Sequence, residues 1–166
     1  MDNYKPLDFF EKIVRKAHNL TEEEIKDEAI SHQFEERNIH SFLPSKIKKL
    51  FDDGHYSQCT FESFKYLDKE IARLANLSES GYSLMMKAFS ENAPLIKLNK
   101  LNSVSDKDEQ QGYKFIFSGS ILGIRNPRGH EYEIEDNLDD CLDHLSFISM
   151  LLRKLEKSGF SIKKGK

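Results

Sequence analysis

The hexapeptide RNPRGH, residues 125–130, lies between two apolar, helix-forming segments in the C-terminal third of the chain. Because Asn126 precedes a proline, its backbone is biased away from the helical region, and the sequence predicts that a helix ends here. The proline and the glycine would then let the chain fold back on itself. On an unbroken helix Arg125 and His130 would point about 140° apart, whereas the predicted break would let them approach the same ligand.

The composition predicts an all-α protein without a general nucleic-acid-binding surface. Of 166 residues, 32% are charged and 38% hydrophobic, with 8 Gly, 4 Pro and no Trp, which is typical of packed helices. The net charge of −3 implies that any contact with a nucleic acid is local. The start of the chain has no signal-peptide hydrophobic region, and no apolar run has membrane-spanning length. A cytoplasmic protein is predicted.

Apolar residues at spacings of three and four predict a series of helices. Residues 1–40 are predicted to form an N-terminal helical extension, and residues 41–166 the main helical domain. The predicted helices cover residues 7–18, about 21–34, 44 to a stop at Gly54, 56–77, 82 to near Pro94, 113 to the hexapeptide, and 137–157. Polar residues dominate positions 99–111, so that stretch is predicted to be a mobile loop.

The last predicted helix carries more apolar surface than one packing contact requires. In addition to a stripe of leucines, Phe147, Ile148 and Leu151 form a second apolar face. A homodimer seam along this face is one interpretation, and burial between several helices of the same chain is the alternative. Cys59 and Cys141 lack ligand spacing and are expected to be buried free thiols. The scattered histidines show no ligand repeat, so no metal site is predicted.

The residue types in the hexapeptide suit the cleavage of RNA by transesterification. His130 could take the proton of the 2′-hydroxyl or protonate the 5′-oxygen leaving group, and Arg125 could stabilise the charge of the phosphorane. Asn126 could bind the phosphate or fix the imidazole, and Arg128 could bind a neighbouring phosphate. This chemistry requires no metal and no cofactor. The structural alternative is an arginine that caps helix carbonyls and a histidine that binds an acidic neighbour.

Several ordered blocks of the sequence resemble known families. The pattern R-N-x-x-x-H at residues 125–130 matches the R-x4-6-H signature of the HEPN superfamily, in which a polar residue, often Asn, follows the arginine. The wider stretch 112–131 and the upstream stretch 84–95 look like the Ymh family of prokaryotic hypothetical proteins, and residues 50–65 resemble the first helical hairpin of HEPN-type domains. The resemblance covers about residues 41–157. Gly129 stands where a small residue such as alanine would be expected.

The resemblance implies a HEPN-like helical bundle that forms a homodimer, with two Arg–His motifs facing one another across a shared cleft. Such proteins are commonly metal-independent endoribonucleases of prokaryotic toxin–antitoxin, abortive-infection or other antiviral defence systems, and they leave a 2′,3′-cyclic phosphate. The implied catalytic residues are Arg125, Asn126 and His130, and the implied substrate-binding residue is Arg128. The implied partners are RNA and an antitoxin or another defence-system protein. A catalytically inactive module that binds RNA or a nucleotide, and a protein-interaction domain, are the alternatives.

Overall fold

A computed structural model describes residues 10–17, 32–131 and 133–165 of the chain. These residues are helical or irregular, with no strand among them, so the predicted all-α fold class is confirmed. Within the same residues, no helix is both long enough and apolar enough to cross a membrane. The chain divides into two compact units, Met1–Glu36 and Arg37–Lys166.

In the first unit, residues 10–17 are helical, and a single helical turn spans Gln33–Glu36. The helix predicted over residues 7–18 is therefore helical wherever it is described. Most of the helix predicted over about residues 21–34 lies outside the described residues.

The described part of the second unit contains six α-helices. They are α1 (Ser45–Asp52), α2 (Tyr56–Ala75), α3 (Gly81–Ala88), α4 (Val104–Ser120), α5 (Asn126–His130) and α6 (Leu138–Lys157). A π-helical turn, Ile121–Arg125, joins α4 directly to α5. The predictions for α1, α2 and α6 are confirmed, whereas α3 is present but ends at Ala88 and not near Pro94; the predicted left-handed stop after α1 is present at Gly54, which has a φ of +76°.

The long helix α2 is the centre of this unit, because it packs against α1, α3, α5, α6 and the π-helical turn. Its side chains Phe64, Leu67 and Ile71 are completely buried, as are Leu145 and Leu152 of α6. Burial of a side chain of this size contributes roughly 1.5–3 kcal/mol. The contact between α2 and α6 is therefore the principal part of the core, and it fixes the helix against which the hexapeptide lies.

The two cysteines are buried free thiols, as predicted, one on α2 and one on α6. Hydrogen bonding to Cys141, together with burial, raises the pKa of the Cys59 thiol far above its ordinary value. Cys59 therefore stays protonated and belongs to the packing of the core.

The second apolar face of α6 is covered by the chain itself. Ile148 and Leu151 are completely buried, and the ring of Phe147 packs against Phe64 with centroids 6.3 Å apart. Burial between helices of one chain is therefore the correct interpretation of this face, and the homodimer seam predicted along it is wrong. Periodicity alone does not separate the two interpretations, because both require the same apolar positions.

The mobile loop predicted over residues 99–111 is also wrong, because α4 begins at Val104. Ser103 caps this helix: its Oγ accepts a hydrogen bond from the backbone N–H of Asp106 at 3.0 Å. The Asp106 carboxylate accepts in turn from the backbone N–H of Ser103 at 3.3 Å. This reciprocal pair satisfies N–H groups that a helix N-terminus otherwise leaves without partners, which is why so polar a stretch is helical.

The buried amide of Gln110 holds the start of α4 against the connection that precedes it. Its Oε1 accepts from the backbone N–H of Leu98 at 2.9 Å, and its Nε2 donates to the carbonyl of Ile96 at 3.0 Å. A polar side chain that bridges two backbone groups in the interior gives no apolar signal in the sequence.

Candidate functional site

The hexapeptide continues the helix that precedes it and does not break it. After the π-helical turn, Asn126 has helical backbone angles, φ −65° and ψ −43°, and α5 follows. The backbone N–H of Asn126 donates to the carbonyl of Ile121, five residues earlier, which is the hydrogen bond that defines a π-helix. The helix end predicted at this position is therefore wrong.

The widened turn explains how the helix tolerates a proline. In a regular α-helix the ring of Pro127 would collide with the carbonyl four residues earlier, and that carbonyl would lose its donor. A π-helical turn shifts the carbonyls of the preceding turn relative to the ring. It also places Pro127 in the first turn of α5, where a backbone N–H is not required. The sequence contains the proline but no direct sign of the extra residue in the turn.

Arg125 has no carboxylate partner among the described residues. Its Nη1 donates to Asn126 Oδ1 at 3.0 Å, and its guanidinium carbon lies 5.3 Å from the centre of the Phe61 ring. Its Nε is buried without a hydrogen-bond partner in the described structure. Most other arginines are paired with a carboxylate, namely Arg15, Arg37, Arg73 and Arg128. An amide and a ring hold the Arg125 charge without neutralising it, which suits this residue to bind an anion.

His130 is the last residue of α5, and its side chain is exposed. No hydrogen bond from the described residues fixes its ring. Because the backbone is helical from Arg125 to His130, the two side chains leave it in directions about 140° apart. The predicted fold-back of the chain between them is therefore wrong.

Arg128 faces the interior of the unit. Its Nε and Nη2 donate to both carboxylate oxygens of Asp136, with Nε 2.8 Å from Oδ2, and its Nη1 donates to the carbonyl of Ile124 at 2.8 Å. Only 11% of the Arg128 side chain and 3% of the Asp136 side chain are exposed. The sequence predicts a phosphate-binding residue here. The structure instead engages this guanidinium in a bidentate pair that ties α5 to the segment before α6.

Asp136 links this ion pair to α2. Its backbone N–H donates to Ser57 Oγ, in the first turn of α2, at 2.6 Å. Burial alone would raise the pKa of the Asp136 carboxyl, but the hydrogen bonds from Arg128 hold that pKa below its ordinary value. Asp136 is therefore ionised at neutral pH, and it connects α5, α2 and the approach to α6.

His144 of α6 lies beside this ion pair and was not predicted from the sequence. Its Nδ1 is 3.8 Å from Asp136 Oδ2, too far for a hydrogen bond. Burial and the charge of Arg128 lower the pKa of His144, and the nearby carboxylates oppose that shift only in part. The imidazole is therefore neutral at pH 7. Sequence spacing gives no signal for it, because its neighbours come from other elements.

Phe61 of α2 is a second residue of the site that the sequence does not single out. Its half-buried ring lies against the backbone of α5 as well as against Arg125, since a Cβ placed on Gly129 would come within 2.8 Å of Phe61 Cε2. Lys65 Nζ lies 5.8 Å from the centre of the same ring. The sequence signal that could have indicated Phe61 is its position within residues 50–65, the block that resembles the first helical hairpin of HEPN-type domains.

The charged residues near this ring on α2 are paired with one another. Glu62 lies 3.2 Å from Lys46 Nζ and 3.4 Å from Lys65 Nζ. In the part of the chain that the structure describes, no group of three or more His, Cys, Asp or Glu side chains is arranged to hold a metal ion. The hexapeptide itself supplies guanidinium groups, an amide and an imidazole.

The described residues form an all-helical fold, and on adjoining turns of one helix they present an exposed histidine and an arginine that meets no carboxylate among them. The family model described as "Protein of unknown function (Hypoth_ymh)" matches residues 37–155, and the chain belongs to this family. The matched residues include α1 to α5 and nearly all of α6. The predicted resemblance to the Ymh family is thereby confirmed. Comparisons with curated proteins and with solved structures gave no match.

Proposed function

We propose that this protein is a HEPN-type, metal-independent endoribonuclease that cleaves RNA by transesterification. The observation that supports it best is the state of Arg125, whose charge meets no carboxylate among the described residues although Arg128, three positions later, is fully paired. Arg125 adjoins the same short helix as the exposed imidazole of His130. A cation and an imidazole are the groups that this reaction uses.

The proposed reaction gives each residue of the motif a separate task. His130 takes the proton of the 2′-hydroxyl, whose oxygen attacks the adjacent phosphorus, or it protonates the departing 5′-oxygen. Arg125 binds the non-bridging oxygens and stabilises the added charge of the phosphorane. Asn126 accepts a hydrogen bond from Arg125, so it orients the guanidinium, and its own amide N–H groups are able to donate to the phosphate. The products are a 2′,3′-cyclic phosphate and a 5′-hydroxyl.

A homodimer is part of the proposal, because Arg125 and His130 of one chain diverge. A second copy can supply the histidine that complements each arginine. The continuous surface of α4 and the π-helical turn suits such a contact: Phe115 of α4 is 55% exposed and Leu122 of the turn is 49% exposed, although both are large and apolar. Gly119 lies between them in the sequence and leaves open space where a Cβ would stand, so a second helix can approach closely. This surface leads directly into the motif.

The setting of the activity follows from the resemblance to HEPN proteins. A cytoplasmic location, and an antitoxin or another protein of a prokaryotic defence system as partner, belong to the proposal on that basis. The net charge of −3 does not oppose it, because two copies of Arg125 at one cleft make a local basic site. Binding of RNA through few cations implies only a modest dependence on salt.

The test is cleavage of single-stranded and structured RNA in EDTA by the wild type and by Arg125→Ala and His130→Ala. We expect each substitution to lower kcat/KM by at least about 100-fold, the usual contribution of one acid–base or charge-stabilising group. Arg37→Ala removes an arginine of an exposed ion pair and serves as the matched control. Circular dichroism establishes that each variant is folded.

Other outcomes of the same experiment favour the alternatives. Wild type that binds RNA and never cleaves it is a binding module. If the wild type neither binds nor cleaves RNA, the result favours a protein-interaction domain. If the variants fail to fold, the result favours a structural role for Arg125 and His130. A cleavage rate that is equal in the wild type and both variants would refute the assignment of the site.

A further inference from the structure

The Phe61 ring contacts two parts of the motif helix at once. It lies under the guanidinium of Arg125, with the guanidinium carbon 5.3 Å from the ring centre. It also lies against the backbone of α5, because a Cβ on Gly129 would come within 2.8 Å of its Cε2. Phe61 belongs to α2, the helix that packs against nearly every other helix of the unit. The ring therefore joins the motif to the most firmly held element of the fold.

Few other contacts orient Arg125. Its Nη1 donates to the adjacent Asn126, and its buried Nε has no hydrogen-bond partner among the described residues. A carboxylate in place of the ring would fix the guanidinium and also neutralise it, as Asp136 does for Arg128. An aromatic face restricts the guanidinium plane and leaves its charge and remaining N–H groups for a ligand.

The position of the Phe61 ring explains why residue 129 is a glycine. It lies inside α5 with ordinary helical geometry, so its backbone conformation does not require glycine. The Phe61 ring occupies the space that a β-carbon would need. The glycine is therefore matched to the aromatic residue at position 61, and the two positions are expected to be coupled energetically.

We propose that Phe61 is a positioning residue that holds Arg125 toward a phosphate of RNA, an inference that rests on the proposed function. Gly129 is the position that lets the ring approach α5. Phe61 does not touch the reacting atoms, and it acts through the orientation of the arginine.

The first test compares Phe61→Leu, which removes the aromatic face and retains apolar bulk, with Phe61→Tyr, which retains the face. In the full chain, Phe61→Leu is expected to lower kcat/KM for RNA cleavage about 10-fold, the size of one cation–π contact, and Phe61→Tyr to stay within about 2-fold of the wild type. Tyr56→Leu, on the same helix but with its ring packed on Phe51, is the matched control. Equal rates for Phe61→Leu and the control would overturn the proposal.

An NMR measurement reads the position of Arg125 without depending on catalysis. The Nε–Hε signal of Arg125 is expected upfield in the wild type and in Phe61→Tyr, because a ring face shields a proton above it. In Phe61→Leu the signal is expected to move to an ordinary position while the backbone spectrum is retained. An unchanged Arg125 signal in Phe61→Leu means that the ring does not place the guanidinium, and it overturns the proposal even if the enzyme cleaves RNA.

The second test is a double-mutant cycle. Gly129→Ala alone is expected to displace the ring and lower kcat/KM, whereas in the Phe61→Leu background its further effect is expected to be less than about 3-fold, since the ring is no longer there to displace. Additive effects would show that the two positions act independently, contrary to the proposal. If Phe61→Leu is too unstable to measure, the cycle can be carried out with Phe61→Tyr. Because Phe61→Tyr retains the ring, it is expected to increase the loss of kcat/KM that Gly129→Ala causes.

Failure of the proposed function is separable from failure of this inference. A wild type that binds single-stranded RNA without cleaving it refutes the ribonuclease, and the inference is then measured as the loss of RNA affinity in Phe61→Leu alongside the Arg125 signal. A wild type that neither binds nor cleaves RNA refutes both, because no phosphate then remains for Arg125 to meet.

Discussion

Arg125 and Arg128 lie three residues apart and meet opposite surroundings. Arg128 donates to both oxygens of an almost completely buried Asp136, and its charge is balanced inside the unit. Arg125 lies over the Phe61 ring and donates to an amide, and its charge is not balanced by any carboxylate of the described chain. One residue therefore holds the helix in place while the other is available to a ligand.

His144 gives the fold a dependence on pH that can be measured. Its pKa is held below the ordinary value of 6.5 by burial and by Arg128, so the unfolded chain takes up this proton at a higher pH than the folded chain does. Stability from this group is complete above about pH 6.5 and falls as the pH drops through that window toward the lower folded pKa. His144→Gln is expected to flatten the decline of the free energy of unfolding between pH 7 and pH 5, measured by urea denaturation.

The carboxylates of Asp136, Asp140 and Asp143 face the same imidazole and oppose the lowering of its pKa. The expected effect of His144→Gln is therefore a smaller slope of the free energy of unfolding against pH and not a loss of all pH dependence. His55→Gln, at an exposed position, is the control. The same slope in the wild type and His144→Gln would contradict the assignment.

The hexapeptide could be predicted as a candidate site from its residue types, but the surroundings of its individual residues could not. Arginine, asparagine and histidine at this spacing suggest phosphate chemistry in any fold. Whether a given arginine is free or paired depends on Asp136 and Phe61, which lie 8 residues after Arg128 and 64 residues before Arg125 along the chain. Such partners become neighbours only through tertiary packing, so spacing within the motif carries no information on them.

At the scale of elements, the N-terminus of α4 depends on a cap that is testable. Ser103→Ala removes the Oγ that accepts from Asp106 N and is expected to lower the free energy of unfolding by about 1 kcal/mol. Ser105→Ala, an exposed position two residues further on, makes the same chemical change outside the cap and is expected to lie within about 0.5 kcal/mol of the wild type. Chemical denaturation of the three proteins measures both values. Equal stability of Ser103→Ala and Ser105→Ala would show that the cap is not what starts this helix.

Helices with a continuous apolar stripe were predictable, and helices specified by polar contacts were not. The apolar stripes of α2 and α6 predicted both helices, because burial of those stripes is what stabilises them. The first turns of α4 are specified by Ser103, Asp106 and Gln110, which satisfy backbone groups and bury little apolar surface. The helix end predicted at Asn126 is wrong because the π-helical turn places Pro127 in the first turn of α5, where a proline is tolerated.

At the scale of the molecule, the candidate site lies against α2 and includes an exposed histidine. α2 contacts α5 and the π-helical turn. Asp136 links α5 to α2, because its carboxylate accepts from Arg128 and its backbone N–H donates to Ser57. The exposed apolar residues Phe115 of α4 and Leu122 of the π-helical turn lie on the same continuous helical path as the motif. A packed support and exposed apolar side chains beside the arginine and the histidine are the reasons for which we propose a site that a second chain completes.

A composite site has a quantitative consequence that a single-chain site does not have. If Arg125 of one chain acts with His130 of the other, a mixed dimer of Arg125→Ala and His130→Ala contains one intact site and one site without either group. Equal mixing makes half of the dimers mixed, so about a quarter of the wild-type cleavage rate is expected to return, although each variant alone is inactive. The measurement is RNA cleavage after subunit exchange, with mixed dimers confirmed by native mass spectrometry. Adding Leu122→Asp to both variants should abolish the recovery, because a charge on the surface of the π-helical turn opposes the contact. Mixed dimers that form without recovering activity would mean that each chain builds its own site.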